Sequence, residues 1–285
     1  VHQRGKLIQR GVMPDVLVMT ATPIPRTLTL TIYGDLDVSI LDELPAGRGK
    51  IVSGVRVKPK VSEMTKFLKE QLEEGRQLYL VYPLVEESDS IKAASAVAEH
   101  PKWQKRFSHF EVELLHGKMP SEEKESVMTR FREGKSEVLV ATTVVEVGVD
   151  VPNANVMVIF NAERFGLAQL HQLRGRIGRG EHKSYCILVT DGKSSDALDK
   201  LNILAGTIDG FKIAEEDLRL RGPGEILGTQ QSGIGGLRFA EFLADTSLIR
   251  EAREVAEEVL RIDPSLEKNP QLRSWAIEQV DVEMS

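Results

Sequence analysis

A run of arginines and glycines is the clearest candidate for chemistry in this sequence. Residues 172–180 read Gln-Leu-Arg-Gly-Arg-Ile-Gly-Arg-Gly and follow a short helical pattern. Guanidinium groups bind phosphate oxygens in pairs of hydrogen bonds, and glycines let the backbone approach a ligand closely. Many Arg/Gly mixtures are only solvated basic surfaces, but Gln172 at a fixed offset before the arginines favours a functional site. We expect Arg174, Arg176 and Arg179 to face a phosphate.

A second group of polar residues follows an apolar run at Val138–Ala141. A buried strand that ends in Thr142 and Thr143 places two hydroxyls at the carboxyl edge of a parallel sheet, where ligands bind in such folds. Asp150, which stands between valines, is placed to accept a hydrogen bond from a ribose hydroxyl. The alternative is an ordinary loop in which Thr143 caps a turn.

The sequence has no phosphate cradle of its own. Gly134–Ser136 and Gly192–Ser194 resemble the end of a P-loop, but Thr129 and Ile187 occupy the positions of the required earlier glycine, so both are predicted to be surface turns. Asp42-Glu43 lies in a segment that resembles a linker, where a structural role is favoured over a metal site. The pattern therefore predicts half of a nucleotide site, with phosphate-facing arginines and no metal ligands.

Apolar runs alternate with amphipathic segments along most of the chain, which predicts a doubly wound α/β fold with a parallel sheet. The main predicted helices are Ser62–Glu74, with Ser62 as N-cap, and Ser121–Glu133. Beyond about residue 206 the strand signal ends, and 211–220 and 239–262 are predicted helices separated by a glycine-rich turn at 222–236. The predicted strands are Val16–Met19, Leu78–Tyr82, Val112–Leu115, Val138–Ala141, Val156–Phe160 and Tyr185–Val189.

Composition narrows the class of protein. The 285 residues carry a net charge of -6, which argues against nucleic-acid binding through bulk charge but permits a local basic stripe. Cys186 is the one cysteine, so no intrachain disulfide or Cys-rich zinc site can form. No apolar run approaches the ~20 residues that span a bilayer, and no signal peptide is recognisable. We expect a cytoplasmic protein with no membrane partner.

Taken in order, the motifs resemble the later motifs of superfamily 2 helicases. Two further stretches, 21–26 with 42–48 and 210–233, are similar to the RecG family of bacterial ATP-dependent DNA helicases. The second stretch resembles the translocation motif that this family shares with the transcription-repair coupling factor. The superfamily motifs are Thr20-Ala21-Thr22, Leu115-His116-Gly117, Ala141-Thr142-Thr143 with Gly148-Val149-Asp150, and Gln172 with Gly175-Arg176 and Gly178-Arg179.

The resemblance implies a role for each matching residue. Gln172, Arg176 and Arg179 match the motif whose arginines reach the γ-phosphate of ATP, while Gly148 and Asp150 match residues near the nucleotide sugar. The residues implied in DNA contact or in coupling ATP hydrolysis to DNA movement are Thr20, Thr22, His116, Thr142, Thr143, Arg219, Arg221, Gln230 and Gln231.

The resemblance also implies a domain plan and partners. Residues 1–45 would be the remnant of motor lobe 1 with a linker, 46–205 a RecA-like lobe 2, and 206–285 the translocation motif with C-terminal helices. ATP and Mg²⁺ would serve the intact enzyme, with the Mg²⁺ ligands outside this chain. Lobe 1 and an N-terminal wedge domain that grips branched DNA would be partners. A C-terminal fragment of this kind is expected not to hydrolyse ATP alone, because the P-loop and the acidic box are missing.

Two other functions stay open at this point: a motor fragment of the transcription-repair coupling factor, and a non-catalytic lobe that serves as an interaction module. Two basic stripes could contact DNA, one formed by Lys102, Lys105 and Arg106 and the other by the three arginines of residues 174–179. The first is favoured as a plain solvated helix face, and Trp103 beside it as a core residue rather than a base-stacking platform.

Overall fold

Six parallel strands form one sheet in the computed structural model, which describes residues 17, 19, 39, 41, 47–83, 94–146, 150–221 and 246–275. They lie in the order β1-β6-β5-β2-β4-β3, and every neighbouring pair is parallel. The α/β fold predicted from the alternation of apolar and amphipathic segments is confirmed. The strands are β1 (Ile51–Val57), β2 (Gln77–Val81), β3 (Val112–Leu115), β4 (Val138–Ala141), β5 (Ala154–Ile159) and β6 (Ser184–Thr190).

Helices connect the strands and then continue the chain beyond the sheet. Two short 3-10 helices, Thr143–Glu146 and Ala162–Arg164, follow β4 and β5. After Gly206 the described residues form helices and no strand. The helices are α1 (Val61–Glu73), α2 (Ala94–Arg106), α3 (Ser121–Arg132), α4 (Leu167–Arg174), α5 (Ser195–Gly206), α6 (Gly210–Arg221) and α7 (Thr246–Ile262).

The central strand β2 shows how the sheet is buried on both faces. Successive side chains of a strand point to opposite faces, so Leu78 and Leu80 join one apolar cluster and Tyr79 and Val81 join the other. The first cluster lies under α1 and α2 and includes Trp103, which is buried as the sequence predicts. The second cluster lies under α3, α4 and α5, and it supports the candidate site.

Near the N-terminus the sequence analysis misses one strand and predicts another that is not observed. Ile51–Val57 forms the edge strand β1, although Ser53, Gly54 and Arg56 interrupt its apolar pattern and it was expected to follow a linker. An edge strand with one neighbour needs no continuous apolar run. Val16–Met19 was expected to be a buried strand, but Leu17 and Met19, its two described residues, are exposed and lie outside any strand. The two residues are 80% and 83% exposed.

Helix ends agree with the sequence in most places. Gly75 and Gly134, just beyond α1 and α3, have φ of 79° and 70°, the left-handed conformation expected of glycine after a helix. Ser62 is not the N-cap of α1: the Lys60 carbonyl already accepts from the Met64 N–H, so the N-cap is Lys60, two residues earlier. Helix α6 matches the prediction for 211–220, and α7 begins at Thr246, while 222–245 lie outside the described residues.

No helix within the described ranges is long and apolar enough to cross a membrane. Lys102, Lys105 and Arg106 lie on α2, where Lys102 pairs with Glu99 at 2.6 Å and the Arg106 guanidinium lies 4.8 Å from the centre of the Trp103 ring. These contacts are typical of the solvated helix face that the sequence favours.

Candidate functional site

The arginine loop, residues 175–180, follows α4 and packs tightly against two other backbone segments. Gly178 has a φ of 73°, and a Cβ there would lie 2.6 Å from Ile51 Cγ1 at the start of β1. A Cβ on Gly180 would lie 2.7 Å from the Pro152 carbonyl oxygen. Ile177, just before Gly178, is fully buried. A side chain at either glycine would force a neighbouring group to shift, so the two glycines allow the loop to pack this closely.

The loop brings together two residues that the sequence assigned to separate motifs. Arg179 Nη1 lies 3.2 Å from Asp150 Oδ1, and Arg179 Nε donates to the Gly175 carbonyl oxygen at 3.2 Å. The Arg179 side chain is 28% exposed and that of Asp150 is 58% exposed. A guanidinium held in this way at the surface is oriented and can still reach an anionic ligand.

Arg174 does not belong to this phosphate-facing set, which corrects the sequence expectation. The residue is 2% exposed, and its Nη1 donates to the carbonyl oxygens of Leu204 at 2.6 Å and Thr207 at 2.7 Å. These carbonyls lie at the C-terminal end of α5, where unpaired backbone acceptors need a donor. Burial lowers the pKa of Arg174. The basic stripe of three arginines is therefore reduced to Arg176 and Arg179.

His171 completes the buried contact of Arg174. Its Nδ1 lies 3.0 Å from Arg174 Nη2, and since arginine can only donate, this nitrogen must accept and the ring must be neutral. Burial, reinforced by the Arg174 charge, lowers the pKa of His171 to about 4. Gln172, the next residue, is half-buried on the same helix.

Tyr79 on β2 belongs to the same buried apolar cluster as Ile177 of the arginine loop. Its ring is 5.0 Å from the Phe131 ring, and its hydroxyl oxygen is buried with no hydrogen-bond partner among the described residues. Burial raises the pKa of Tyr79, while the charges of Arg176 and Arg179 act to lower it. Nothing in the sequence separated this tyrosine from an ordinary core residue, and the prediction missed it.

The carboxyl ends of β3 and β4 form a second group of candidate residues. Leu115 pairs with Ala141 in the sheet, so His116 and Thr142 emerge side by side. Thr142 is fully buried, and its N–H donates to the Leu115 carbonyl at 3.1 Å. Thr143, by contrast, is half-buried at the start of a 3-10 helix. Of the two hydroxyls, the one on Thr143 is the more accessible to a ligand.

A surface cavity of about 430 Å³ opens beside His116. Its charged lining is mixed, and Arg130 Nη2 approaches Glu113 Oε2 within 2.6 Å across it. The lining residues are Glu113, Leu114, His116, Lys118, Met119, Pro120, Glu123, Ser126, Val127 and Arg130. Two carboxylates in this set make it a poor match to a phosphate backbone.

Helix α6 packs on α4, the helix that leads to the arginine loop. The N-cap of α4, Gly166, offers no side chain, and Asp217 Oδ1 of α6 accepts from the Leu167 N–H at 3.2 Å instead. A carboxylate at a helix N-terminus satisfies a backbone donor and complements the helix dipole. Sequence analysis missed Asp217, whose acidic neighbours Glu215 and Glu216 gave it no distinction.

The remaining predicted residues fall into two groups. Arg219 is exposed on α6 and pairs with Glu216 at 2.8 Å, and Arg221 ends that helix. Five residues lie outside the described residues, together with the acidic pair Asp42-Glu43: Thr20, Thr22, Gly148, Gln230 and Gln231.

Neither P-loop look-alike surrounds an anion site. Gly134 lies in the turn after α3, and Ser194 is the N-cap of α5, where its Oγ accepts from the Ala197 N–H at 3.3 Å. In the part of the chain that the structure describes, no three His, Cys, Asp or Glu side chains converge as a metal site requires.

Comparison with known proteins gives two family matches. Residues 59–181 match the helicase conserved C-terminal domain, and residues 207–277 match the C-terminal part of domain 3 of the ATP-dependent DNA helicase RecG. The first match includes strands β2 to β5, and the second includes helices α6 and α7.

Individual relatives agree with these matches. The chain is 51% identical to ATP-dependent DNA helicase RecG of Synechocystis sp. over 99% of its own length and 34% of the relative's. It is 49% identical to the Aquifex aeolicus protein of the same name, over 98% of this chain and 36% of that protein. A structure of RecG bound to a three-way DNA junction matches with a TM-score of 0.67 and 45% identity, over 84% of this chain and 31% of that one. The chain thus spans about a third of the length of these relatives.

Proposed function

Since the chain belongs to the RecG family of superfamily 2 helicases, we propose that it is the C-terminal motor part of an ATP-dependent DNA helicase that remodels branched DNA. Stalled forks and Holliday junctions would be its substrates, in repair and recombination. The proposal rests on two findings: the matched relatives are named ATP-dependent DNA helicases, and the matched RecG structure is bound to a three-way DNA junction.

The packing of α6 on α4 carries this proposal. Helix α6 lies within the match to RecG domain 3, and α4 leads directly to the arginine loop. Asp217 caps α4, so a displacement of the loop would be transmitted to α6 through this hydrogen bond and the packing of the two helices. A nucleotide-binding lobe with no mechanical task needs no such connection.

ATP would bind in the cleft between this lobe and the P-loop lobe. Arg176 and Arg179 would reach the γ-phosphate from this side and counter the charge that develops on its oxygens during hydrolysis. An arginine supplied in this way accelerates phosphoryl transfer by about 10³–10⁵ in other enzymes. Gln172, half-buried on α4, would orient the loop, while Asp150 and Gly148 would lie near the sugar.

The described residues of this chain include no group of three or more His, Cys, Asp or Glu side chains that could hold a metal ion. We therefore assign no step to a metal on this lobe. In the complete helicase the P-loop lobe would supply the ligands.

The DNA side of the motor would be the carboxyl edge of β3 and β4. Thr143 would contact a backbone phosphate, and His116 and the buried Thr142 would support that edge. The other residues proposed to couple ATP hydrolysis to DNA movement are Thr20, Thr22, Arg219, Arg221, Gln230 and Gln231. Such a motor would work beside the chromosome, in the bacterial cytoplasm, together with lobe 1 and an N-terminal wedge domain.

The match to RecG domain 3 disfavours the coupling-factor alternative. The remaining alternative is a non-catalytic interaction module, which predicts no ATP hydrolysis. One experiment separates the two functions. ATP hydrolysis stimulated by a three-way junction is measured for the complete helicase that contains this chain, as wild type and as Arg179→Ala. Arg132→Ala, an exposed arginine on α3, is the control.

We expect junction-stimulated hydrolysis in the wild type and in Arg132→Ala, and its loss by at least about 10²-fold in Arg179→Ala. Equal activity in Arg179→Ala would refute the role of Arg179. No hydrolysis in the folded wild type would favour the interaction module.

A further inference from the structure

The Tyr79 hydroxyl is a buried polar group without a function in the fold as it stands. Tyr79 is fully buried, and its hydroxyl has no hydrogen-bond partner among the described residues. Leaving a buried hydroxyl unpaired is unfavourable, and phenylalanine would fill the same space without that cost. A tyrosine at this position therefore indicates that the hydroxyl has a partner in another arrangement of the molecule.

Tyr82, three residues further along the chain, shows the contrast. Its buried hydroxyl oxygen accepts a hydrogen bond from Trp103 Nε1 at 2.7 Å, on the opposite face of the sheet. The Tyr82 hydroxyl is thus explained by the packing of α2, whereas the Tyr79 hydroxyl is not explained by any contact within the described ranges.

The groups within reach of Tyr79 are those of the candidate site. Tyr79 shares its apolar cluster with Val151 and Ile177, the residues next to Asp150 and Arg176 in the sequence. The charges of Arg176, Arg179 and Asp150 all influence the pKa of Tyr79, after the larger effect of burial. Phe131, whose ring lies 5.0 Å from that of Tyr79, offers no hydrogen bond.

We propose that Tyr79 is a positioning residue for Arg176: its hydroxyl oxygen accepts a hydrogen bond from the Arg176 guanidinium when nucleotide draws the arginine loop into the cleft. The inference rests on the proposed function and adds a residue to that site. A phenol oxygen is a good acceptor for a guanidinium, and a site on a central strand is rigid. Tyr79 would hold Arg176 in line with the phosphate without touching the nucleotide itself.

The test compares Tyr79→Phe with the matched control Tyr82→Phe in the complete helicase, in ATP hydrolysis at saturating three-way junction. For Tyr79→Phe we expect kcat to fall about tenfold, equivalent to about 1.4 kcal/mol, with the KM for ATP within about twofold of wild type. For Tyr82→Phe we expect kcat close to that of the wild type.

Urea unfolding of the 285-residue chain supplies the second readout. Tyr79→Phe should be at least as stable as wild type, since it removes an unpaired hydroxyl. Tyr82→Phe should be less stable, since it leaves Trp103 Nε1 without an acceptor.

Three outcomes would overturn the role of Tyr79. These are an unchanged kcat in Tyr79→Phe, a rise in KM without a fall in kcat, and a loss of stability as large as that of Tyr82→Phe. Arg179→Ala, measured beside them, separates the two proposals. If Arg179→Ala loses activity and Tyr79→Phe does not, only the inference about Tyr79 fails. If the wild type shows no hydrolysis, the proposed function fails and this role fails with it.

Discussion

Arg179 and Asp150 form an ion pair, with Nη1 3.2 Å from Oδ1, across two segments that lie 29 residues apart in the sequence. Both side chains are partly exposed, and such pairs contribute about 0–1 kcal/mol to stability. The contact therefore matters mainly for orientation: it fixes the direction of a guanidinium that would otherwise sample many rotamers. It also places the proposed sugar contact and the proposed phosphate contact at one site.

Asp150→Asn tests this orientation. We expect kcat/KM for ATP to fall about tenfold in the complete helicase, because Arg179 loses its charged partner and the sugar meets an amide in place of a carboxylate. The free energy of unfolding of the chain should change by less than about 1 kcal/mol. Steady-state kinetics and urea unfolding measure the two quantities.

Asp199→Asn, at an exposed position on α5, is the control. It should match wild type in kcat/KM for ATP and in the free energy of unfolding. A stability loss of several kcal/mol in Asp150→Asn, or unchanged kinetics, would contradict the assignment.

Arg174→Met tests the correction made to the arginine motif. The substitution leaves the Leu204 and Thr207 carbonyls without a donor, so we expect a loss of about 2–4 kcal/mol in the free energy of unfolding. Arg132→Met, which changes an exposed arginine, should lose less than about 0.5 kcal/mol. If the two variants unfold at the same urea concentration, Arg174 has no structural role.

Arg174 and Arg179 show what the sequence could and could not predict. The spacing of the motif identified both arginines, but the direction of each side chain depends on the surfaces that the sheet brings to α4. One arginine meets the end of α5, and the other meets the loop after β4. Neither surface can be identified from residues 172–180 alone, because both come from distant parts of the chain.

Strong local patterns were predicted well, and features that depend on distant partners were not. Buried strands such as β4 have continuous apolar runs, and Gly75 and Gly134 stop their helices as expected. Strand β1 was missed because its partner β6 is more than 120 residues away and its own pattern is weak. Tyr79 was missed for a related reason, since only the folded sheet places it in the same apolar cluster as Ile177 of the arginine loop.

The neutral state of His171 predicts a dependence of stability on pH. The folded-state pKa of about 4 is below the ordinary histidine value of 6.5, so the unfolded chain binds a proton between these pH values and the folded chain does not. Stability is therefore lost as pH falls from about 6.5 towards 4 and is independent of this residue above about pH 7. After allowance for the partial exposure of the ring, we expect a loss on the order of 2 kcal/mol.

Urea unfolding at pH 7 and pH 4.5 measures this loss against two variants. His171→Gln, which keeps an acceptor for Arg174 but cannot be protonated, should lose less stability than wild type over that range. His109→Gln, at an exposed position between α2 and β3, should follow wild type. Parallel curves for all three proteins would mean that His171 is not held neutral by the fold.

Gly178→Ala tests whether the close packing of the arginine loop matters for function. The new Cβ would lie 2.6 Å from Ile51 Cγ1, and the alanine would have to adopt the φ of 73° that Gly178 has. Gly134→Ala provides a matched control, because Gly134 has nearly the same backbone angle, 70°, but nothing within 4 Å of its Cβ position. Backbone strain of about 1 kcal/mol is common to both variants, so the difference between them isolates the contact with Ile51.

We expect Gly134→Ala to retain wild-type ATP hydrolysis in the complete helicase and to lose about 1 kcal/mol of stability in the chain. Gly178→Ala should lose about 1–3 kcal/mol more through overpacking, and its kcat should fall about tenfold or more, because the loop must move away from β1 and carries Arg176 and Arg179 with it. The double variant Gly178→Ala with Ile51→Val relieves part of the clash and should recover part of both losses. Equal stability and activity in the two single variants would show that the loop can move away from β1 at no cost, and that its position does not set the geometry of the arginines.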